Sequence, residues 1–141
     1  MTYIGIDPGL SGGIGVISPN GTYAHKMPDT ERDILDLVKS IASQGPCTCW
    51  LERVGPMPKQ GVVSVWTFAG SYWGLRMALL AAEIPFDLVP PAKWQGALGC
   101  RTGGDKNVSK TKAQQLFPGI KITHAIADAL LIAEYGRRIS Q

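Results

Sequence analysis

Apolar residues run without a polar break from Tyr3 to Ile6, and the chain then meets Asp7-Pro8-Gly9. That pattern predicts a central strand covered on both faces and stopped by a turn, with Asp7 where the core meets water. Gly13–Ser18 and Thr22–Met27 read as two more strands, joined through Pro19-Asn20-Gly21, and an Asn-Gly step between apolar runs marks a hairpin. Ile34, Leu37, Val38 and Ile41 then recur at helical spacing. Thr30, with Asp33 three residues on, is the expected cap, and Gly45-Pro46 the stop. Cys47–Leu51 is the next strand and carries Glu52 at its end as the first carries Asp7. From Val62 to Glu83 the pattern is helical but apolar on more than one face, with Trp66, Phe68, Tyr72, Trp73, Leu75 and Met77. The surplus is assigned first to the core and second to a dimer interface, where Ala69, Gly70 and Gly74 would let another helix approach. Phe86–Val89 is a fifth strand, ended by Pro90-Pro91, and a helix is expected to begin at Lys93-Trp94-Gln95. Gly96–Val108, rich in glycine and bases, reads as a mobile loop. A short helix, Ser109–Phe117, and a final one from about Thr123 to Arg138 complete the chain.

These elements place acids together. A strand, a crossover helix and a following strand form a right-handed parallel unit, so the strands ending at Asp7 and Glu52 are expected to be neighbours with their carboxyl ends on one edge. Two carboxylates there repel unless a cation lies between them, and magnesium and manganese take such oxygen ligands. The competing readings are an Asp7 that only builds its turn and a Glu52 that pairs with Arg53. The last helix is almost wholly apolar from Ala125 to Ala133 apart from Asp128, which if buried needs a base, backbone donors or a metal. His124 lies four residues earlier on the same face, as a further ligand or as a capping or surface group.

Composition narrows the class. The 141 residues make one domain, 1–141, and 45% hydrophobic content suffices for a core. No apolar run reaches membrane-spanning length and no signal pattern opens the chain, so a soluble, cytoplasmic protein is expected. Cys47, Cys49 and Cys100 are read as reduced thiols, the first two expected on opposite faces of their strand, and without CxxC pairs a structural zinc site is not expected. The net charge of +3 is unevenly spread: residues 93–141 hold eight Lys or Arg against three acids, whereas residues 1–92 hold six against eight. A polyanion touching the last third is the expected partner, with Lys93, Arg101, Lys106, Lys110 and Lys112 as candidate phosphate contacts.

Ile4-Gly5-Ile6-Asp7-Pro8-Gly9, Leu51-Glu52-Arg53-Val54 and Ala127-Asp128-Ala129-Leu130-Leu131-Ile132-Ala133 resemble, in order and spacing, the RuvC-like Holliday junction resolvases, most closely their compact phage-type members. The resemblance spans nearly the whole chain. It implies an α/β, RNase H-like fold: a mixed five-stranded sheet, three antiparallel strands then two parallel, with helices on both faces. It implies a homodimer that binds a four-way DNA junction and cuts two opposing strands to leave 5′-phosphate and 3′-hydroxyl ends. Asp7, Glu52 and Asp128 match the family's metal-binding acids, and His124 stands where many members carry another aspartate. Two magnesium or manganese ions are the implied cofactors. Lys106 and Lys110 are the leading phosphate contacts, and Met57, in the loop after Glu52, is expected at the junction centre as an apolar wedge. Compactness suggests a bacterial or phage-infected cell as the setting. The alternatives are an actin-like or sugar-kinase-type nucleotide-binding domain and an inactive junction-binding protein. A single domain without a Walker-type phosphate loop argues against a nucleotide cofactor, and the three acids argue against inactivity.

Overall fold

The computed structural model describes residues 1–141. Five strands, β1 (Thr2–Asp7), β2 (Gly13–Ser18), β3 (Gly21–Lys26), β4 (Cys47–Glu52) and β5 (Phe86–Val89), form one sheet in the order β3-β2-β1-β4-β5. β1 pairs antiparallel with β2 and β2 with β3, while β4 lies parallel to β1 and β5 parallel to β4. This is the mixed sheet expected, and Ile6 opposite Leu51 sets Asp7 and Glu52 at the same edge.

Helices α1 (Glu31–Ala42) and α2 (Val62–Ala81) cover one face, and α3 (Pro91–Leu98), α4 (Lys106–Leu116) and α5 (His124–Ile139) the other. The period-two pattern of each strand sorts side chains between two cores. Ile4, Ile6, Ile14, Val16, Cys49 and Leu51 join Val38, Ile41, Leu75 and Leu79 on the first face. Trp50 and Val89 join Trp94, Leu98, Leu130, Leu131 and Tyr135 on the second. Thr30 caps α1 as expected, its Oγ1 accepting from the Asp33 amide at 3.1 Å.

The near-continuous hydrophobicity of α5 follows from its place directly on the sheet, where Ala129 through Ala133 are all fully covered. Glycine makes room for it. A Cβ on Gly5 would overlap the Ala129 carbonyl oxygen and the Ala133 nitrogen, and one on Gly15 would lie 2.7 Å from the Ala129 carbonyl carbon and the Leu130 nitrogen. The central strands and α5 thus meet backbone to backbone, which fixes the height of Asp128 over the sheet edge.

Three expectations need correction. Cys47 and Cys49 are two residues apart on a strand, so they share a face; Cys49 is buried in the first core and Cys47 packs against it. Gly96–Val108 is not one loop: α3 runs to Leu98 and closes on Gly99 in the left-handed conformation (φ 66°), and α4 starts at Lys106. The cap of α4 is Asp105, whose side chain accepts from the Asn107 amide at 2.9 Å. Finally, the surplus apolar residues of α2 are not core: Trp66 is 81% exposed, and Val62, Trp73, Met77 and Leu80 are also exposed.

Candidate active site

Each acid is delivered by an element end. β1 runs into the Pro8-Gly9 turn, closed by the Gly12 amide on the Gly9 carbonyl at 3.1 Å, and leaves Asp7 half-buried at its tip. β4 ends on Glu52, 9% exposed, and β5 beside it ends on Val89 in register with Glu52. Asp128 projects from the second turn of α5, which starts at His124 after the cap residue Thr123. Asp7, Asp128, His124, Lys106 and Ser109 line one open cleft of about 280 Å³, whose floor includes the Pro8–Gly12 turn.

The electrostatics show that the acids share a field. Burial raises the Asp7 pKa from its ordinary 3.8 to about 8, with the Glu52 and Asp128 charges adding to the rise and Lys106 opposing it. Burial likewise raises Glu52 from 4.5 to about 7, against a hydrogen bond from Trp94 and with Asp128 adding. Asp128 is raised by burial too, while Ser109, Lys106 and His124 favour its anion. Ser109 Oγ also lies 3.2 Å from the Lys106 carbonyl, to which it can donate, and Asp128 Oδ1 is buried with no hydrogen-bond partner. Glu134 is a useful contrast. Burial pushes it up as well, yet Arg137 and Arg138, at 2.8 and 2.7 Å, outweigh burial and hold it below its ordinary range. The three site acids lack such arginines.

Arg53 is exposed and Glu52 instead accepts from Trp94 Nε1 at 2.7 Å. Sequence reasoning assigned Trp94 no role in the site, because the partner lies 42 residues away and only the β4–β5 register brings it near. Ser109 was also missed; it follows Lys106 by three residues on α4, so one helical face carries both. His124 lies exposed at the mouth of the cleft.

The candidate DNA contacts are divided. Lys106 lies in the cleft and Lys110 follows it by one turn on the same face of α4. Lys112 is turned away from Lys110 and lies near Cys100, where it opposes the rise that burial imposes on that thiol. Lys93 lines a separate depression with Trp50, Asp87 and Tyr135, and the Arg101 guanidinium packs over Gly96. Met57 is 66% exposed in the loop after β4. A turn holds it: its amide donates to Gln60 Oε1 at 2.9 Å, and the Gln60 amide donates to the Met57 carbonyl at 3.3 Å.

The raised acids make stability depend on pH. Their folded pKa values exceed the unfolded ones, so the folded state binds more protons between about pH 4 and pH 8 and loses stability as pH rises through that window. In chelator, the thermal midpoint is therefore expected to fall from pH 5 to pH 8, while Asp7→Asn flattens the fall. A midpoint that rises over that range would show that the acids are held as stabilised anions.

No family model and no curated protein sequence matches the chain. Solved structures do. RuvC of Thermus thermophilus superposes with a TM-score of 0.65 at 20% identity, covering 99% of this chain and 97% of that one. The same organism's RuvC in complex with a Holliday junction substrate superposes with a TM-score of 0.67 at 20% identity, covering 100% and 97%. The chain has the RuvC fold. The mixed sheet with helices on both faces is thus the RNase H-like arrangement of RuvC. Coverage is nearly complete in both directions. No helix is long and apolar enough to cross a membrane.

Proposed function

We propose that this protein is a structure-specific endonuclease that resolves four-way DNA junctions by metal-dependent hydrolysis. The observation that carries the reading is that Asp7 and Asp128 line one cleft while Glu52 ends the strand beside Asp7, each of the three desolvated and without an arginine partner. The RuvC fold, seen elsewhere on a Holliday junction substrate, supports the choice of DNA.

The donor set fits a divalent cation of the magnesium or manganese class. It offers carboxylate oxygens, one of them buried without a partner at Asp128 Oδ1, and a buried oxygen left without a donor costs roughly 1–3 kcal/mol, which a cation would relieve. No three of the His, Cys, Asp and Glu side chains converge tightly enough to cage an ion as they stand. Asp7, Glu52 and Asp128 would hold the ions, with His124 at the mouth as a further ligand suited to manganese. Such ions, when bound, activate water and stabilise the leaving 3′ oxygen, giving 5′-phosphate and 3′-hydroxyl ends. Lys106 brings positive charge to the same cleft, where a scissile phosphate would lie.

The outer stripe of α2 supports a homodimer. Val62, Trp66, Trp73, Met77 and Leu80 share one face of the helix, and Gly70 beside them has open space where a Cβ would be. A contiguous apolar stripe of this size on a 20-residue helix is the mark of an interface, and a second copy would set two active sites against two strands of one junction. The decisive experiment incubates the protein with labelled four-way junction, Y-fork and linear duplex in magnesium, manganese or chelator, alongside sedimentation of the free protein. Paired, symmetric, metal-dependent cuts in the junction by a dimer are expected. Binding without cutting in either metal would favour a junction-binding protein, and a monomer would remove the paired-cut reading.

Two contacts are expected to be separable. Removing Lys106 and Lys110 together should weaken junction binding and lower the slope of log affinity against log salt by about one unit per lost contact. An unchanged slope would make them solvated surface charges. Met57→Ala should reduce the fluorescence increase of a base analogue placed at the crossover, if Met57 wedges between unstacked bases. Equal fluorescence and rate in the variant would assign the loop to packing on its own domain.

A further inference from the structure

Trp94 is fully buried on α3, and its indole N–H donates to Glu52 Oε2 at 2.7 Å. Both partners hang from one rigid frame. Glu52 and Val89 are paired in the sheet, the Arg53 amide donates to the Val89 carbonyl at 2.8 Å, and Pro90-Pro91 turns the chain at once into the helix that carries Trp94. The ring belongs to the second core, whose members include Leu98, Cys100 and Leu130, and a fully covered ring has little freedom to turn its N–H elsewhere. A buried indole needs an acceptor, and a backbone carbonyl would have served a purely structural tryptophan. Here the acceptor is instead a carboxylate at the sheet edge that carries Asp7. The indole has one donor and no acceptor, so it orients the carboxylate without competing for a cation.

We propose that Trp94 is a positioning residue of the nuclease site, whose N–H fixes the rotation of the Glu52 carboxylate through Oε2 and presents Oε1 as the oxygen for a divalent cation. The inference rests on the metal-dependent reading above. It treats the indole as the outer partner of a metal-binding side chain, a kind of contact whose loss commonly costs about 10–100-fold in metal affinity or activity.

The test measures manganese binding by calorimetry on DNA-free protein, for wild type, Trp94→Phe, Glu52→Gln, and protein with benzothienylalanine in place of Trp94. Benzothienylalanine keeps the bicyclic shape and replaces the N–H with sulfur, so it separates the hydrogen bond from packing even where Trp94→Phe folds poorly. Both Trp94 variants are expected to bind manganese roughly 10–100-fold more weakly than wild type. Their junction binding in chelator should be unchanged, and cleavage should fall in kcat rather than in KM for the junction. Wild-type manganese affinity in the benzothienylalanine protein would overturn the proposal and leave Trp94 a packing residue, with the metal reading intact. Manganese binding that Glu52→Gln leaves unaltered would overturn the metal reading at Glu52 and this proposal with it.

Discussion

Asp7→Asn is expected to abolish junction cleavage while leaving junction binding in chelator within about a factor of two. The substitution removes one carboxylate charge from the cleft and keeps the shape of the side chain. Loss of an outer partner to a metal ligand already costs about 10–100-fold, so loss of the ligand charge itself should cost more, roughly a thousandfold in rate. The basic residues on α4 are untouched, which is why binding should survive. The same variant should not be destabilised. Asp7 is driven toward its neutral form by burial and by its acidic neighbours, and an amide meets that environment without the repulsion. A higher thermal midpoint than wild type at pH 8 in chelator, together with lost cleavage, would mark Asp7 as a residue retained at a cost to stability. Loss of binding in proportion to cleavage, with the fold preserved, would count against a chemical role. Persistent cleavage would sink the two-ion reading at this acid.

Gly5→Ala should be strongly destabilising. The added Cβ would meet the Ala129 carbonyl oxygen and the Ala133 nitrogen, both backbone atoms of α5, and neither can step aside as a side chain could. Overpacked cores commonly lose about 1–3 kcal/mol, and a clash with helix backbone should lie at or above the top of that range. For a domain of this size that is roughly a ten-degree fall in thermal midpoint. Since α5 also carries Asp128, lifting the helix from the sheet should weaken cleavage further than the stability loss predicts, a difference that activity assays well below the midpoint would reveal. Gly70→Ala is the matched control: nothing lies within 4 Å of a Cβ there in the single chain, so monomer stability should be unchanged. A Gly5→Ala protein as stable as wild type would mean that α5 can shift without consequence.

The strands, the hairpin, the Thr30 cap and the positions of Asp7 and Glu52 at strand ends were legible in the sequence because they depend on local chemistry. Period-two apolar runs, an Asn-Gly turn and a capping hydroxyl act within a few residues. The cap of α4 was legible in principle as well, since Asp105 stands directly before the helix, but glycine and lysine around it suggested a loop. The face shared by Cys47 and Cys49 follows from strand periodicity alone. By contrast, the hydrophobicity of α2 could not say whether Trp66 and Trp73 were core or surface. A helix apolar all round has the same sequence pattern in either place, and only its packing on one side of the sheet separates Tyr72, Leu75 and Leu79 from the exposed stripe.

The site divides along the same line. Local sequence was enough to say which acids stand at the ends of which elements, since turn chemistry and apolar runs place Asp7, Glu52 and Asp128 without reference to distant residues. What surrounds those acids was settled in three dimensions: the Trp94 N–H on Glu52, Lys106 and Ser109 beside Asp128, and the orphaned oxygen of Asp128. Those contacts arise from strand register and from the seating of α5 on two glycines. Such distances are set by the packing of whole elements, and residues tens of positions apart carry no local signal of it.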